Sequence, residues 1–381
     1  MSTNLKARAW VQVRADALRA NYARVRNAAG PSVGVLPMVK ADAYGVGVAE
    51  VVDCLGPLNP WGFGVAAISE GVTLREMGVT CPIVVCSPAP SDEFAVAIEH
   101  DLQLSISSIE ALERLQDAAL RQGAGKAEFH VDVDTGMGRS GFDWRTASEW
   151  LPRVVGMAES VHWLGCYTHL HSADENGKSI EEQWSRFSEV LDRATSLRAT
   201  DGVSDPLLIH VLNSAGVFRT PSYARAVVRP GIFMYGGEVG EGQPAPEPVV
   251  SVHARVVHVR DVAAGTTLGY GSTYVATEAQ RWATLAIGYG DGFPRALGNR
   301  GSAIVHGVKV PIIGRISMDV TVVNISDVST VCDGDVATLV GEDGDAKLTV
   351  DEIAAQAGTI SYEVLTGLTA RLPRVWTDRD A

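Results

Sequence analysis

The sequence predicts an α/β protein in which an N-terminal (β/α)8 barrel of the TIM type is followed by a mostly β C-terminal domain. Eight short apolar runs rich in Val, Ile and Leu recur through the first 240 residues. Between them lie stretches in which apolar residues repeat every three or four positions, as on one face of a helix. Beyond a segment rich in Gly, Pro and Glu, strand-like runs predominate.

The apolar runs and the helical stretches alternate, as in consecutive βαβ units. The runs occupy residues 34–40, 62–67, 82–86, 102–106, 128–134, 161–169, 207–212 and 227–235. The clearest helical stretches are 16–29, 69–77, 108–121 and 180–199. This alternation implies parallel strands with right-handed crossovers, and eight units suggest a closed barrel. The alternative is a doubly wound open sheet, but the glycine spacing after the first run is not that of a dinucleotide-binding fingerprint.

The segment 237–248 (GEVGEGQPAPEP) has the composition of a linker. We therefore expect a barrel domain over residues 1–240 and a β-rich domain over residues 249–381. In the second domain, strands are predicted at 249–262, 282–287, 303–305, 308–313, 320–325 and 336–340, with one helix at 350–357.

Composition excludes several kinds of partner. The 45 acidic and 32 basic residues give a net charge of −13, which would repel the phosphate backbone of a nucleic acid. No run of about 20 apolar residues predicts a membrane span, and residues 1–11 lack the apolar stretch of a signal peptide. The five cysteines show no CxxC spacing, so we expect neither a disulfide framework nor a metal site. These features together predict a cytoplasmic protein.

Lys40 lies where the first barrel strand ends, which is the side at which such barrels place functional residues. An amine partly withdrawn from water favours its neutral form and can make a Schiff base, whereas an arbitrary lysine here would more often extend into solvent. The surrounding residues 38–47 (MVKADAYGVG) closely resemble the cofactor-lysine motif of the PLP-dependent (fold-type III) alanine racemase family. The resemblance implies pyridoxal 5'-phosphate (PLP) as cofactor, a Schiff base to Lys40 and a phosphate contact from Tyr44.

Residues 134–141 (DTGMGRSG) resemble the family segment whose arginine, here Arg139, approaches the substrate carboxylate. A guanidinium suits that role because it can donate two parallel hydrogen bonds to a carboxylate. Two residues before this motif, many family members carry a carbamylated lysine that steadies the arginine. Asp132 occupies the position here. Because its side chain is much shorter than that of lysine, a direct ion pair with Arg139 need not form, and an anion or a water would then lie between the two groups.

The next two motifs resemble segments that surround the cofactor. Residues 167–174 (YTHLHSAD) match the segment whose histidine, here His169, flanks the cofactor ring and hydrogen-bonds the catalytic tyrosine. Residues 210–215 (HVLNSA) match the segment in which Ser214 would contact phosphate and His210 would support an arginine on the next strand. Without the family, Ser214 would more often be a helix cap.

Residues 229–232 (RPGI) resemble the segment that meets the cofactor at both ends. By resemblance, Arg229 faces the pyridine nitrogen and keeps it unprotonated, because an arginine hardly ever gives up its proton. The loops after strands seven and eight form the usual phosphate site of this fold. The backbone N–H groups of Gly231 and Ile232 are therefore assigned to the phosphate.

Tyr270, in residues 268–274 (LGYGSTY), occupies the position of the second catalytic base of the family. A free phenol is a poor base, since its pKa is about 10, so nearby positive charge must favour its anion or its proton must leave through His169.

Three further segments of the second domain resemble family segments, namely 287–295 (IGYGDGFPR), 314–319 (GRISMD) and 359–362 (TISY). The first places Tyr289 at the substrate entrance. The second places the Met318 backbone at the substrate carboxylate, with Asp319 in a supporting position. The third brings Tyr362 to the phosphate.

The resemblance implies an amino-acid racemase that interconverts L-alanine and D-alanine and supplies D-alanine for peptidoglycan. Lys40 would exchange the α proton of the D-enantiomer and Tyr270 that of the L-enantiomer, from opposite faces. In this family the two bases come from different chains, which implies a homodimer with shared active sites.

Three alternatives stay open at the level of sequence. A serine or broader-specificity racemase is one, since a methylene discriminates by only about 1 to 3 kcal/mol. A second is a PLP-dependent decarboxylase of the same architecture, although its usual glycine triplet and cysteine-bearing motif do not occur here. A third is a non-catalytic PLP carrier, which normally lacks the second domain.

Overall fold

The structure is a computed structural model that describes residues 7–123, 127–157, 161–175, 177–202 and 205–378. Up to residue 236 its strands are β1 (Ala9–Arg14), β2 (Gly34–Val35), β3 (Phe63–Val65), β4 (Ile83–Val85), β5 (Gln103–Ile106), β6 (Ala127–Asp134), β7 (Phe142–Asp143), β8 (Val161–Tyr167), β9 (Leu208–His210) and β10 (Val227–Val228). Over the same range its helices are α1 (Ala15–Ala29), α2 (Lys40–Gly45), α3 (Val48–Leu55), α4 (Ile68–Glu76), α5 (Phe94–Glu99), α6 (Ile109–Gln122), α7 (Ala147–Gly156), α8 (Ser179–Thr200) and α9 (Ser214–Arg219).

The predicted closed barrel is confirmed. The parallel pairings run in the order β3, β4, β5, β6, β8 and β9, and β10 pairs in parallel with β2. Parallel bridges from Met38 to Gly64 and from Asn213 to Arg229 join these two groups of strands into a ring. The doubly wound open sheet is therefore wrong, because an open sheet has two free edges and this ring has none.

Two helices of the barrel, α6 and α9, begin at a side-chain cap. In α6, for example, the Ser108 hydroxyl caps the first turn by accepting a hydrogen bond from Ala111 N, and Gly123 ends the helix in the left-handed conformation. Ile109, Leu112 and Leu115 recur on one face and are buried against the barrel. The other predicted helical stretches correspond to α1, α4 and α8 within one or two residues.

The second domain is mostly β, as predicted. Its strands are β11 (Val250–Val262), β12 (Thr267–Leu268), β13 (Tyr274–Val275), β14 (Gln280–Leu285), β15 (Ser302–Val305), β16 (Val308–Ile313), β17 (Thr321–Asn324), β18 (Val336–Asp343), β19 (Ala346–Leu348) and β20 (Arg374–Thr377). Two helices, α10 (Val350–Ala357) and α11 (Ser361–Gly367), complete it. The antiparallel pairings pass from β11 through β18, β15, β16, β17 and β14 and return to β11, so these six strands close a second, smaller barrel.

The chain's first strand belongs to the sheet of the second domain, which the sequence did not indicate. Val11 pairs antiparallel with Val252 of β11 and parallel with Arg374 of β20. The chain then enters the barrel through α1 and leaves it along residues 237–248, which form neither a helix nor a strand. Asn21 of α1 holds this connection by hydrogen bonds with the backbone N–H and C=O of Glu247. Within the described ranges, every helix is too short or too polar to be a membrane-spanning segment.

Candidate active site

A cavity of about 540 Å³ opens at the carboxyl ends of the barrel strands. Nine of the predicted site residues line it, namely Lys40, Tyr44, Arg139, His169, Ser214, Arg229, Gly231, Ile232 and Tyr362. His210 lies behind the wall, where it contacts Arg229. The remaining predicted residues, Tyr270, Tyr289, Met318 and Asp319, do not line the cavity. The cavity thus joins an amine, two arginines, a histidine and several hydroxyl groups in one place.

Lys40 is presented to the cavity by a strained turn. The four residues that follow it, Ala41 to Tyr44, have φ between 51° and 59° and form one left-handed helical turn. A left-handed conformation costs a residue with a Cβ atom about 1–2 kcal/mol, and none of these four is glycine. Strain of this kind persists only where surrounding contacts impose it, and it is concentrated at functional sites.

Side chains that the sequence did not single out hold this turn. Glu70 accepts hydrogen bonds from the N–H groups of Ala41 and Ala66, at 2.7 and 2.8 Å. The buried Tyr235 donates to the Met38 carbonyl at 2.9 Å, just before Lys40, and Arg374 donates to the Gly45 carbonyl just after the turn. These residues come from three distant parts of the chain, so the geometry of Lys40 depends on the whole fold.

One end of the cavity is built from hydrogen-bond donors. The Ser214 hydroxyl accepts from Gly231 N at 2.7 Å, which ties the loop after β9 to the loop after β10. Neither Ile232 N–H nor the hydroxyl groups of Tyr44 and Tyr362 donate a hydrogen bond within the described part of the chain. Burial raises the pKa of Tyr362 to about 12 and raises that of Tyr44 further, so both phenols stay protonated donors. This arrangement suits an anion with several oxygens.

Arg229 forms the floor of the cavity and is almost completely buried. Its Nη1 donates to His210 Nδ1 at 2.9 Å and to the His210 carbonyl at 2.7 Å, and Nη2 donates to the Thr168 carbonyl at 2.9 Å. Its guanidinium also lies over the Tyr167 ring, 4.9 Å from the ring centre. Nε donates none of these bonds. Arg229 is therefore fixed on one side and keeps a donor for a ligand.

His169 follows β8 and stands beside Arg229, whose Nη2 lies 3.5 Å from His169 Nδ1. Burial lowers the pKa of His169 to about 3, and the positive charge of Arg229 adds to the effect. The imidazole is therefore neutral at physiological pH. Because Nδ1 faces the donor of Arg229, Nε2 carries the proton.

Arg139 is exposed at the cavity and reaches it on a loop that glycines shape. Asp134 accepts hydrogen bonds from Gly136 N and Gly138 N, at 2.9 and 3.1 Å. At Gly138, φ is +69°, which a residue with a Cβ atom rarely adopts. Arg139 forms no ion pair or hydrogen bond with another described residue, so its guanidinium is available to a ligand.

Asp132 does not pair with Arg139. It accepts hydrogen bonds instead from Ser140 Oγ at 2.9 Å and from Ser107 Oγ at 3.3 Å. Burial raises its pKa above the ordinary range, although both serine hydrogen bonds oppose that shift. The aspartate side chain is shorter than the lysine that many family members carry at this position. Arg139 therefore has no direct carboxylate partner among the described residues.

Tyr270 lies in the second domain, at the tip of the hairpin that joins β12 and β13, and 69% of its surface is exposed. Gly269 and Gly271 flank it with φ of +70° and +73°. An added Cβ at Gly271 would meet Arg315 Nη1 at 3.1 Å, so the turn passes close to a guanidinium. The phenol is therefore largely exposed, and it does not line the cavity of its own barrel.

A buried carboxylate organises the other predicted residues of the second domain. Asp291 is fully buried and forms ion pairs with Arg8 at 2.6 Å and Arg371 at 3.3 Å. Arg371 also pairs with Asp319 at 2.7 Å. Tyr289 N donates to the Ser317 carbonyl at 3.0 Å, which joins the two loops that carry the predicted substrate residues. The role of Asp291 was not predicted, although Asp291 lies within the segment 287–295.

Tyr289 and Met318 are 41% and 52% exposed on these loops. Tyr270 is exposed on the same domain, on a hairpin whose Gly271 lies against Arg315, three residues before Met318. Isolated exposed apolar residues are common on monomeric proteins, but a group of them often marks a surface that contacts another chain.

Comparisons with known proteins agree with this geometry. The family model for the alanine racemase N-terminal domain matches residues 13–239, and that for the C-terminal domain matches residues 249–376. The alanine racemase of Halothermothrix orenii is 34% identical over 383 residues, covering 100% of this chain and 99% of that protein.

Solved structures extend the agreement to three dimensions. The alanine racemase of D-cycloserine-producing Streptomyces lavendulae has a TM-score of 0.91 and 30% identity, with 98% of each chain covered. The alanine racemase of Bartonella henselae, solved with covalently bound pyridoxal phosphate, has a TM-score of 0.87 and 26% identity, covering 97% of this chain and all of that one. Both domains, their order and nearly the full length are shared, and the chain therefore belongs to the alanine racemase family.

Proposed function

We propose that this chain interconverts L-alanine and D-alanine with PLP bound in the barrel mouth, and that Lys40 and Tyr270 are the two acid/base groups. The observation that carries the proposal is the placement of Lys40 on a strained turn, in a cavity that hydrogen-bond donors also line. A lysine and an anion site in one cavity match the aldehyde and the phosphate of PLP.

The residues present fit PLP at its phosphate and at its pyridine nitrogen. Ser214, Tyr44, Tyr362 and the Ile232 N–H would hold the phosphate. A Cβ added at Gly231 would lie 2.8 Å from Tyr44 Cζ, so only glycine leaves room for a tyrosine hydroxyl against that loop. Nε of Arg229 would donate to the pyridine nitrogen, which an arginine keeps unprotonated because its own proton is retained.

PLP, when bound, supplies an electron-withdrawing ring that acidifies the α C–H of an attached amino acid. The chain's own groups then bind and orient the substrate and move the proton. Arg139 is free to bind the substrate carboxylate. Lys40 would take or return the α proton on the D side, and Tyr270 on the L side, each contributing about 10²- to 10⁴-fold.

We propose that Tyr270 acts on the cavity of a second copy of this chain. This is supported by its exposure at the tip of a hairpin and by the exposure of Tyr289 and Met318 on loops of the same domain. A two-fold dimer would bury these residues and give each cavity a phenol from its partner. Tyr289 would narrow the entrance, and Met318 with Asp319 would complete the carboxylate pocket.

Alanine is the proposed substrate because Tyr270, Tyr289 and Tyr362 would crowd the space next to the α carbon. D-alanine for cell-wall peptidoglycan is the proposed product, and the cytoplasm is the proposed compartment.

The test is racemisation measured with purified protein and added PLP across L-Ala, L-Ser, L-Lys and L-Arg, with release of carbon dioxide followed in parallel. We expect D-alanine from L-Ala at the highest rate, loss of activity in Lys40→Ala, and no carbon dioxide. Decarboxylation without racemisation would overturn the proposal, and a preference for L-Ser would replace the substrate.

A further inference from the structure

A row of polar side chains leads from the buried Arg229 through the interior of the barrel to Glu128, whose side chain is 35% exposed and also lies 3.6 Å from His162 Nδ1. His210 Nε2 lies 2.9 Å from His130 Nδ1, and His130 Nε2 lies 3.0 Å from Gln103 Oε1. Gln103 Nε2 in turn lies 2.7 Å from Glu128 Oε2. Together with the 2.9 Å contact from Arg229 to His210, four hydrogen bonds connect the cavity floor to a carboxylate, and these five residues are called the interior chain.

The direction of every bond in the interior chain is determined from both of its ends. A guanidinium only donates, so His210 Nδ1 must accept and His210 Nε2 must carry the proton toward His130. At the other end, the Gln103 amide nitrogen must donate to the Glu128 carboxylate, so its oxygen must accept from His130 Nε2. Both arguments give the same result, in which each imidazole is neutral and protonated on Nε2.

The neighbouring backbone is shaped around the contact between the two histidines. A Cβ added at Gly165 of β8 would lie 2.7 Å from His130 Cε1 and closer still to Nδ1. The pairing of β6 with β8 also shifts register here, since Phe129 pairs with Trp163 but His130 pairs with Gly165. Such irregularities interrupt the ladder and commonly redirect a side chain next to an active site.

The interior chain also bears on how the buried positive charge of Arg229 is stabilised. Arg229 is buried, and among the described residues no carboxylate lies within ion-pair distance of it, although a buried unpaired charge is costly. In each of the four bonds the donor lies on the Arg229 side and the acceptor on the Glu128 side, so His210, His130 and Gln103 each turn an acceptor toward Arg229. Aligned hydrogen bonds of this kind strengthen one another. Burial lowers the pKa of His130 to about 3 and also lowers the pKa of His210 well below its ordinary value, so both imidazoles are neutral and add no positive charge beside Arg229.

We infer that His130, Gln103 and Glu128 are positioning residues that act through His210 to hold Arg229 as a pure donor toward the ring of the cofactor. The inference rests on the proposed function for the role of Arg229 but adds three residues that contact neither cofactor nor substrate. It follows that a substitution at His130, Gln103 or Glu128 changes the chemistry at Arg229, although these three residues do not line the cavity.

The test combines histidine side-chain ¹⁵N NMR of the PLP-loaded enzyme with two variants of the interior chain. In the unmodified protein we expect His210 and His130 to be neutral and protonated on Nε2, without titration between about pH 5 and 8. Gln103→Leu removes the amide in the middle of the interior chain. Glu128→Gln keeps a hydrogen-bond acceptor at the end of the interior chain but removes its charge. Gln12→Leu is the matched control, a partly buried glutamine on β1 of the second domain.

In Gln103→Leu we expect the dissociation constant of PLP, measured by equilibrium dialysis, to rise about 3- to 10-fold. The ratio of transamination to racemisation should rise as well. Glu128→Gln should give values between those of Gln103→Leu and the unmodified protein, and Gln12→Leu should match the unmodified protein. A charged or Nδ1-protonated His210, or an affinity and a product ratio in both variants equal to the control, would overturn the inference. Failure of the proposed function would appear separately, as unmodified protein that does not racemise alanine.

Discussion

Replacing Gly231 with alanine measures how closely the barrel mouth is built around its ligand. The added Cβ would lie 2.8 Å from Tyr44 Cζ and nearer to the Tyr44 hydroxyl, whereas carbon atoms in contact normally lie about 3.5–4.0 Å apart. The Tyr44 ring would have to retreat by about 1 Å. It has little room, because it is 6% exposed and stacks on Tyr235 with 4.7 Å between ring centres.

Overpacking of this kind costs about 1–3 kcal/mol. Since Tyr44 contacts the phosphate in the proposed complex, most of that cost should fall on the loaded state. The dissociation constant of PLP should therefore rise about 5- to 150-fold. The assay is titration of the PLP-free protein with PLP, followed by visible absorbance.

Two comparisons make the result specific. Gly156→Ala is the matched control, because no atom lies within 4 Å of its added Cβ, and it should bind PLP normally. Tyr44→Phe removes the hydroxyl that the alanine would strike, so the double variant should lose less affinity than the two single losses added together. Unchanged affinity in Gly231→Ala, or strict additivity in the double variant, would refute the reasoning.

Two further predictions concern Tyr270 and Asp132. Tyr270→Phe should lower racemisation about 10²- to 10⁴-fold while the visible absorbance of bound PLP persists. Deuterium exchange at the α carbon should survive for D-alanine but not for L-alanine. Equal exchange for both enantiomers would contradict the assignment. Burial raises the pKa of Asp132, so ionisation of this carboxyl destabilises the folded state. The free energy of unfolding should therefore fall as pH rises from the ordinary pKa of 3.8 through the raised pKa of the folded protein. Asp132→Asn should therefore raise the melting temperature at neutral pH but not at pH 3, and a lower melting temperature at neutral pH would contradict this prediction.

The barrel was predictable because its signals are local. Parallel strands buried on both faces appear as continuous apolar runs, and the intervening helices show their own spacing, so strand order followed from chain order. Strand β1 was not predicted, because its partners in β11 and β20 lie more than 200 residues away in sequence.

The candidate site was predictable only in part. Resemblance named the residues at the cavity, but the left-handed turn after Lys40 has no local signal, since Ala41 and Ala43 ordinarily favour right-handed helix. The roles of Glu70, Tyr235 and Asp291 also depend on contacts between distant segments. The exposed position of Tyr270 follows from the hairpin on which it stands, which the motif alone did not indicate.

Subunit complementation tests the central claim most directly. Lys40→Ala and Tyr270→Phe are each expected to be inactive, but a hybrid dimer of the two would hold one cavity with both bases intact. Random pairing should restore about a quarter of the unmodified activity. Pairing Lys40→Ala with the double variant Lys40→Ala/Tyr270→Phe is the control and should restore none. A mixture no more active than its parents would contradict the account of a lysine and a phenol meeting across two chains.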